Sequence, residues 1–324
     1  MFISAVAAAI LAAPLAASSQ TATTVRRVGV LSAGAPMTLV ELQAEEVALR
    51  AFGWVEGRNL LFERRHANGS AELLQRFAEE LVRLKVDIIV TWGTPATLAA
   101  RKATTTIPIV MATAGDPVRA GLVASLSRPG GNITGFSIVG PEINAKRLAL
   151  LRELLPDLQR VGVLENSTNP YYRAVRKDFE QACRSIGIEP IFVEVAAASE
   201  LENAIEEMAR RHAQALFVLR DNLFNDNRIL LMSAALRHGL PTIVSDIQRG
   251  MLEAGALISY AHTHEEEYRR NAAFIDRILR GAKPADLPIE QPTKFELIIN
   301  LKTAKALGIT IPQSLLLRAD QVIQ

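Results

Sequence analysis

One cysteine stands in 324 residues, Cys183, so no intramolecular disulfide can form. It sits in a helical pattern, where a buried thiol is the expected state. Aromatic residues make up 5% of the chain and the net charge is only +2. A nucleic-acid partner needs a basic stripe with interleaved aromatics, and there is none. Nor is there a G-x-S-x-G elbow, a G-x-x-x-x-G-K phosphate loop, or a G-x-G-x-x-G turn after a strand. His262 and His264 are two apart with no Cys or third His nearby, so no metal site and no cofactor are expected. Catalysis has few footholds here.

Charge is also missing from the first 25 residues, and Phe2 to Leu15 is an Ala-rich apolar run. That run is short of the roughly 20 residues a membrane span requires. Small residues follow it, Ala16 to Ser19, so residues 1–25 read as a secretory signal peptide, although no Lys or Arg precedes the run. Cleavage near residues 18–25 would leave a free periplasmic protein, because no cysteine near the leader could carry a lipid.

Over its whole length the chain is 49% hydrophobic and 22% charged, enough to bury two cores. Arg27-Val28-Gly29-Val30-Leu31 returns as Arg160-Val161-Gly162-Val163-Leu164. After each copy, helical patterns alternate with short apolar strands in the same order. Each copy closes on a proline leading a strand, Pro108-Ile109-Val110 and Pro241-Thr242-Ile243-Val244. Apolar runs of four to six between helices of ten or more specify buried parallel strands. The fold class expected is therefore α/β, with two similar doubly wound, flavodoxin-like lobes. The expected division is residues 26–135 plus about 246–285 for the N-terminal lobe, and 136–245 plus about 286–324 for the C-terminal lobe. Several crossings between lobes make a hinge, and a hinge makes a cleft.

Ligands bind beyond the carboxyl ends of parallel strands. Those ends, with the start of the crossover, nominate Ser32, Gly93, Thr94, Asp116 and Ser137, then Asn169, Asp221, Asn222 and Asp246. Thr94-Pro95 and Asn169-Pro170 read as N-caps followed by proline at the first helical position. Helix N-termini attract a carboxylate, and Asp221, taken as the counterpart of Thr94, could hold an ammonium from the opposite wall. On this reading Asp221→Ala weakens binding with little loss of stability, and Asp226 is a bystander.

Longer motifs sharpen the picture. Gly53-Trp54-Val55-Glu56-Gly57-Arg58-Asn59, Asp116-Pro117-Val118 through Gly121-Leu122-Val123, and Arg128 to Gly135 form one set. Gly281 to Pro288, Asn300 to Ala304 and Arg318-Ala319-Asp320 form another. Together they resemble the ABC-transporter substrate-binding family that includes tryptophan- and phenylalanine-binding receptors, across nearly everything after the leader. The resemblance implies a type I periplasmic binding fold and a receptor delivering a small solute to an ABC permease in the inner membrane. A monomer without nucleic-acid partners is expected. A strand ending in Asp-Asn, typical of amino-acid-binding relatives, matches Asp221-Asn222. Ala261-His262 departs from the Gly-Pro usual after Tyr260. A membrane-linked sensor and a cleft enzyme are the competing functions.

Overall fold

The computed structural model describes residues 25–138, 141–245 and 249–324. The signal-peptide reading and Asp246 therefore lie outside the described residues, apart from Val25. The first copy runs β1 (Arg26–Ser32), α1 (Leu39–Arg50), β2 (Leu60–His66), α2 (Ala71–Arg83), β3 (Ile88–Trp92), α3 (Thr94–Ala103), β4 (Ile109–Ala114) and β5 (Ile133–Ser137). The second runs α4 (Pro141–Leu154), β6 (Arg160–Asn166), α5 (Tyr171–Ser185), β7 (Glu189–Val195), α6 (Leu201–Arg210), β8 (Ala215–Val218), α7 (Asn222–Asp226), α8 (Arg228–Arg237), β9 (Thr242–Val244), α9 (Arg249–Glu253) and β10 (Ile258–Ala261). Then follow α10 (His264–Leu279), β11 (Glu296–Asn300), α11 (Leu301–Ala306), α12 (Gln313–Leu316) and β12 (Gln321–Ile323).

The strands form two sheets. The first has the order β2-β1-β3-β4-β5, all parallel; the second has β12-β11-β10-β9-β8-β6-β7, with only the β10–β11 pair antiparallel. Each copy thus places its RVGVL strand between the two strands that follow it. The repeated glycine has a packing reason. A Cβ on Gly29 would meet the Leu81 side chain of α2 at 3.1 Å, and one on Gly162 would meet Met208 Sδ of α6 at 2.6 Å. The absence of a side chain lets each helix press onto its sheet.

Three crossings join the lobes. The chain leaves β5 for α4, whose Leu148, Leu151 and Leu154 belong to the second core. It leaves β10 for α10, whose Phe274, Ile275 and Ile278 pack on Val28, Val30, Ile88 and Val110 of the first sheet. It returns past Glu290, bridged beside Phe136, to β11. These placements differ from the division expected above. β10 lies in the second sheet, so of the 246–285 segment α10 and the residues after it join the first lobe, and Leu287 and Ile289, beyond the expected boundary, still pack there. Short α7 and α9 and the edge strand β12 went unassigned in the sequence, as did α4.

The strand ends facing the second lobe are irregular. Pairing shifts register between Thr91 and Trp92, and again between Met111 and Ala114. Gly135 (φ +132°) lies where a Cβ would be 2.3 Å from the Met111 carbonyl oxygen, so no other residue fits this close backbone approach. At each shift β4 carries one residue more than its neighbour, a bulge at the strand ends that border the cleft.

Candidate functional site

A cavity of about 250 Å³ lies between the lobes at the carboxyl ends of both sheets. Its size is near the low end for small-molecule sites. The first lobe contributes mostly backbone and small side chains, among them Ala33, Gly93, Thr94 and Gly115. The second contributes Asn166, Asn169, Tyr171, Asp221 and Asn222.

Asp221 is the electrostatic centre of this wall. It is only 6% exposed and forms the N-cap of α7, accepting from Leu223 N at 2.9 Å. Asn166 Nδ2 donates to its Oδ1 at 2.9 Å, and Asn169 Nδ2 to its Oδ2 at 2.8 Å. Both amides are locked in that orientation. Asn166 Oδ1 accepts from Thr168 N and Oγ1, and Asn169 Oδ1 from Tyr171 N. Burial pushes the Asp221 pKa up, and the three donors partly offset it. No basic side chain contributes. The carboxylate is held in place without being neutralised.

The equivalent position in the first copy is Gly93, the N-cap of α3, rather than Thr94. With φ +97° it supplies no side-chain cap, and Pro95 falls one position into the helix. The first amides of α3 are thus left without a side-chain acceptor at the cavity wall. Thr94 Oγ1 accepts from Gly115 N at 3.1 Å. Likewise α5 begins after Pro170, with Asn169 one residue further out.

Gly93, Thr94, Asn169, Asp221 and Asn222 come together on the cavity; Ser32, Asp116 and Ser137 do not line it. Ser32 Oγ accepts from Gly34 N and shapes the turn after β1. Asp116 Oδ1 accepts from Val118 N and Arg119 N in the following loop. Ser137 Oγ donates to the Gly115 carbonyl and supports that wall from behind. Asn68 and Gly69 also line the cavity. They were missed because β2 runs to His66, three residues beyond its apparent end in the sequence, Glu63. Tyr171, at the start of α5, lines the cavity too and carries no signal in the sequence that would single it out.

The lobes touch at the mouth. Asp226 Oδ2 accepts from Ala35 N at 2.8 Å, so Asp226 is a cross-lobe contact and not the bystander expected from sequence. Arg119 pairs with Asp178 and donates to the Ala174 carbonyl at 3.2 Å. A Cβ on Gly34 would lie 2.9 Å from Asn222 Cβ, and one on Gly115 would lie 2.1 Å from the Tyr171 ring. Glycines are what let the walls meet. This is a closed cleft.

The family model for ABC transporter substrate binding protein matches residues 41–323. The chain belongs to that family. A tyrosine-binding protein of Clostridioides difficile (strain R20291) is 30% identical over 262 residues, covering 81% of this substrate-binding protein and 74% of the relative. An ABC domain from Streptococcus pneumonia in complex with L-Trp is 27% identical, with a TM-score of 0.85 over 93% of this chain and 100% of that one. A ligand-free, open substrate-binding protein with adhesive properties from Clostridium difficile is 25% identical, with a TM-score of 0.65 over 93% and 100%. At nearly equal identity, the likeness is greater to the ligand-bound form than to the open one, in keeping with the cross-lobe contacts. Among the described residues, no helix is long and apolar enough to cross a membrane, and no three His, Cys, Asp or Glu gather as metal ligands.

Proposed function

We propose that this substrate-binding protein is an exported receptor that closes on an amino acid and delivers it to an ABC permease in the inner membrane. The observation that carries the reading is Asp221, a buried carboxylate on the cavity wall whose partners are all neutral. An ammonium group fits that vacancy of charge. Across the cavity, Thr94 and the uncapped start of α3 offer partial positive charge to an acid group. The names of the relatives, tyrosine-binding and in complex with L-Trp, support the amino-acid class. Native mass spectrometry of freshly purified protein, followed by calorimetry against the twenty amino acids, tests the reading. A retained mass matching an amino acid, and micromolar or tighter binding of the same compound, is expected. Binding of none of the twenty would overturn it.

A further inference from the structure

Beside the main cavity lies a pocket of about 10 Å³, lined by Ile138, Arg147, Tyr171, Leu219, Arg220, Ser245 and His262. Ile138, Tyr171 and Arg220 line both, so the two spaces adjoin on the hinge side of the cleft. The small pocket has about the volume that one water needs.

Arg147 is the unusual group here. It projects from α4 and is 3% exposed. Its Nε donates to the Tyr260 carbonyl at 2.8 Å and its Nη1 to Asn144 Oδ1 at 3.0 Å. Both acceptors are neutral. No carboxylate among the described residues lies within ion-pair distance of it, although buried arginines are ordinarily paired. Burial lowers its pKa to about 10, which leaves it cationic at neutral pH. Nearby, Arg220 Nη1 pairs with Glu267 Oε2 at 3.0 Å, and His262 Nε2 is 3.4 Å from the same oxygen.

We propose that this hinge-side pocket is an anion subsite in which Arg147 receives a carboxylate of the molecule held in the cleft. The carboxylate is either the side-chain acid of a dicarboxylic amino acid, with the α-carboxylate at the start of α3, or the α-carboxylate itself, which would then replace the assignment of the acid group to α3. The inference rests on the amino-acid reading for the source of the carboxylate, but the anion site itself does not. A carboxylate oxygen has the size for the pocket, and it would supply the negative charge that Arg147 lacks. Arg147 thereby becomes a binding residue, on an element that none of the strand-end positions belongs to.

Sodium formate is the probe for the site itself. Thermal melting of wild type and Arg147→Gln is measured over rising formate, and salt effects common to both cancel in the difference. Formate should raise the wild-type midpoint by several degrees more than that of the variant. Equal responses would overturn the proposal. If the variant does not fold, co-crystals of wild type with sodium bromide decide: an anomalous peak beside Arg147 supports the site, and its absence rejects it. The source is read from calorimetry of Arg147→Gln with the twenty amino acids. Uniform weakening of at least thirtyfold places the α-carboxylate there, and weakening of aspartate and glutamate alone places the side-chain acid. A formate response that depends on Arg147, with no amino acid bound by wild type, would keep the anion site and reject the amino-acid receptor. Amino-acid binding unaffected by Arg147→Gln, with equal formate responses, would do the reverse.

Discussion

Replacing Asp221 by asparagine removes one charge and almost no volume, and the structure indicates what each consequence should be. Three donors converge on the carboxylate, two at Oδ1 and one at Oδ2. The new amide oxygen can take the Oδ1 position, keeping Leu223 N and Asn166. Its NH₂ must then face Asn169 Nδ2, which cannot flip because its oxygen accepts from Tyr171 N. One donor is left unsatisfied, at about 1–3 kcal/mol, partly offset because a buried charge is removed. Stability without ligand should therefore fall by roughly 1 kcal/mol or less. Alanine would strip all three donors and the cap of α7, costing more, so the expectation that Asp221→Ala spares stability does not survive the geometry. Binding is the larger effect. Truncating one side of a desolvated charge pair costs about 2–5 kcal/mol, which is about thirtyfold or more in affinity. The raised pKa adds a pH signature. Free protein must lose that proton before it can pair with an ammonium, so wild-type affinity should fall on acidification, with onset above the ordinary carboxylate range. Asp221→Asn should show no such fall from this group. Calorimetry with the tightest-binding amino acid from pH 4 to 8 measures both. A folded variant within threefold of wild type at neutral pH refutes the ammonium assignment.

Gly115→Ala places a methyl group 2.1 Å from the Tyr171 ring of the closed form and should weaken amino-acid binding at least tenfold with little effect on the unliganded melting temperature; unchanged affinity would mean that the walls need not meet there. Arg119→Ala removes an exposed cross-lobe pair with Asp178, and such pairs contribute about 0–1 kcal/mol, so affinity should fall no more than about fivefold. Glu165, buried on β6 beside Arg176, has its pKa raised by burial to about 7 despite that arginine. Native protein then holds a proton that the unfolded chain has lost, so stability should decrease as pH rises from about 4.5 to about 7. Glu165→Gln should abolish that component and leave the variant more stable than wild type at pH 8 by urea denaturation; an identical pH profile would show that Arg176 keeps the group charged throughout.

The fold was legible in particular residues. Gly29 and Gly162 announce the duplication because both must leave room for a helix, under Leu81 and Met208. The antiparallel partnership of β10 and β11 was not legible, since pairing between distant segments leaves no local pattern. Nor was α4, although Leu148, Leu151 and Leu154 carry helical spacing. At the site, Asp221-Asn222 stood out as a polar strand end. Arg147 did not, because a single arginine in an amphipathic helix looks like solvated surface until its burial is seen.

The polarity of the cleft comes from where the two copies diverge. Both place an N-cap after the third strand, so the scaffold points two helix starts at one cavity. If both caps were aspartates, two negative charges would face each other across the space and closure would be opposed by their repulsion. If both were glycines, two partly positive ends would meet without a counter-charge. One of each gives a positive wall at α3 and a negative wall at Asp221, and only a molecule carrying both signs satisfies the pair. Neither wall can neutralise the other directly. Gly93 has no side chain to reach across, and Asp221 is already held by Asn166, Asn169 and Leu223. On the proposed reading, with the acid group at α3, the charge separation is kept for the ligand, and a zwitterion bridging the walls gains most when the lobes shut and water leaves.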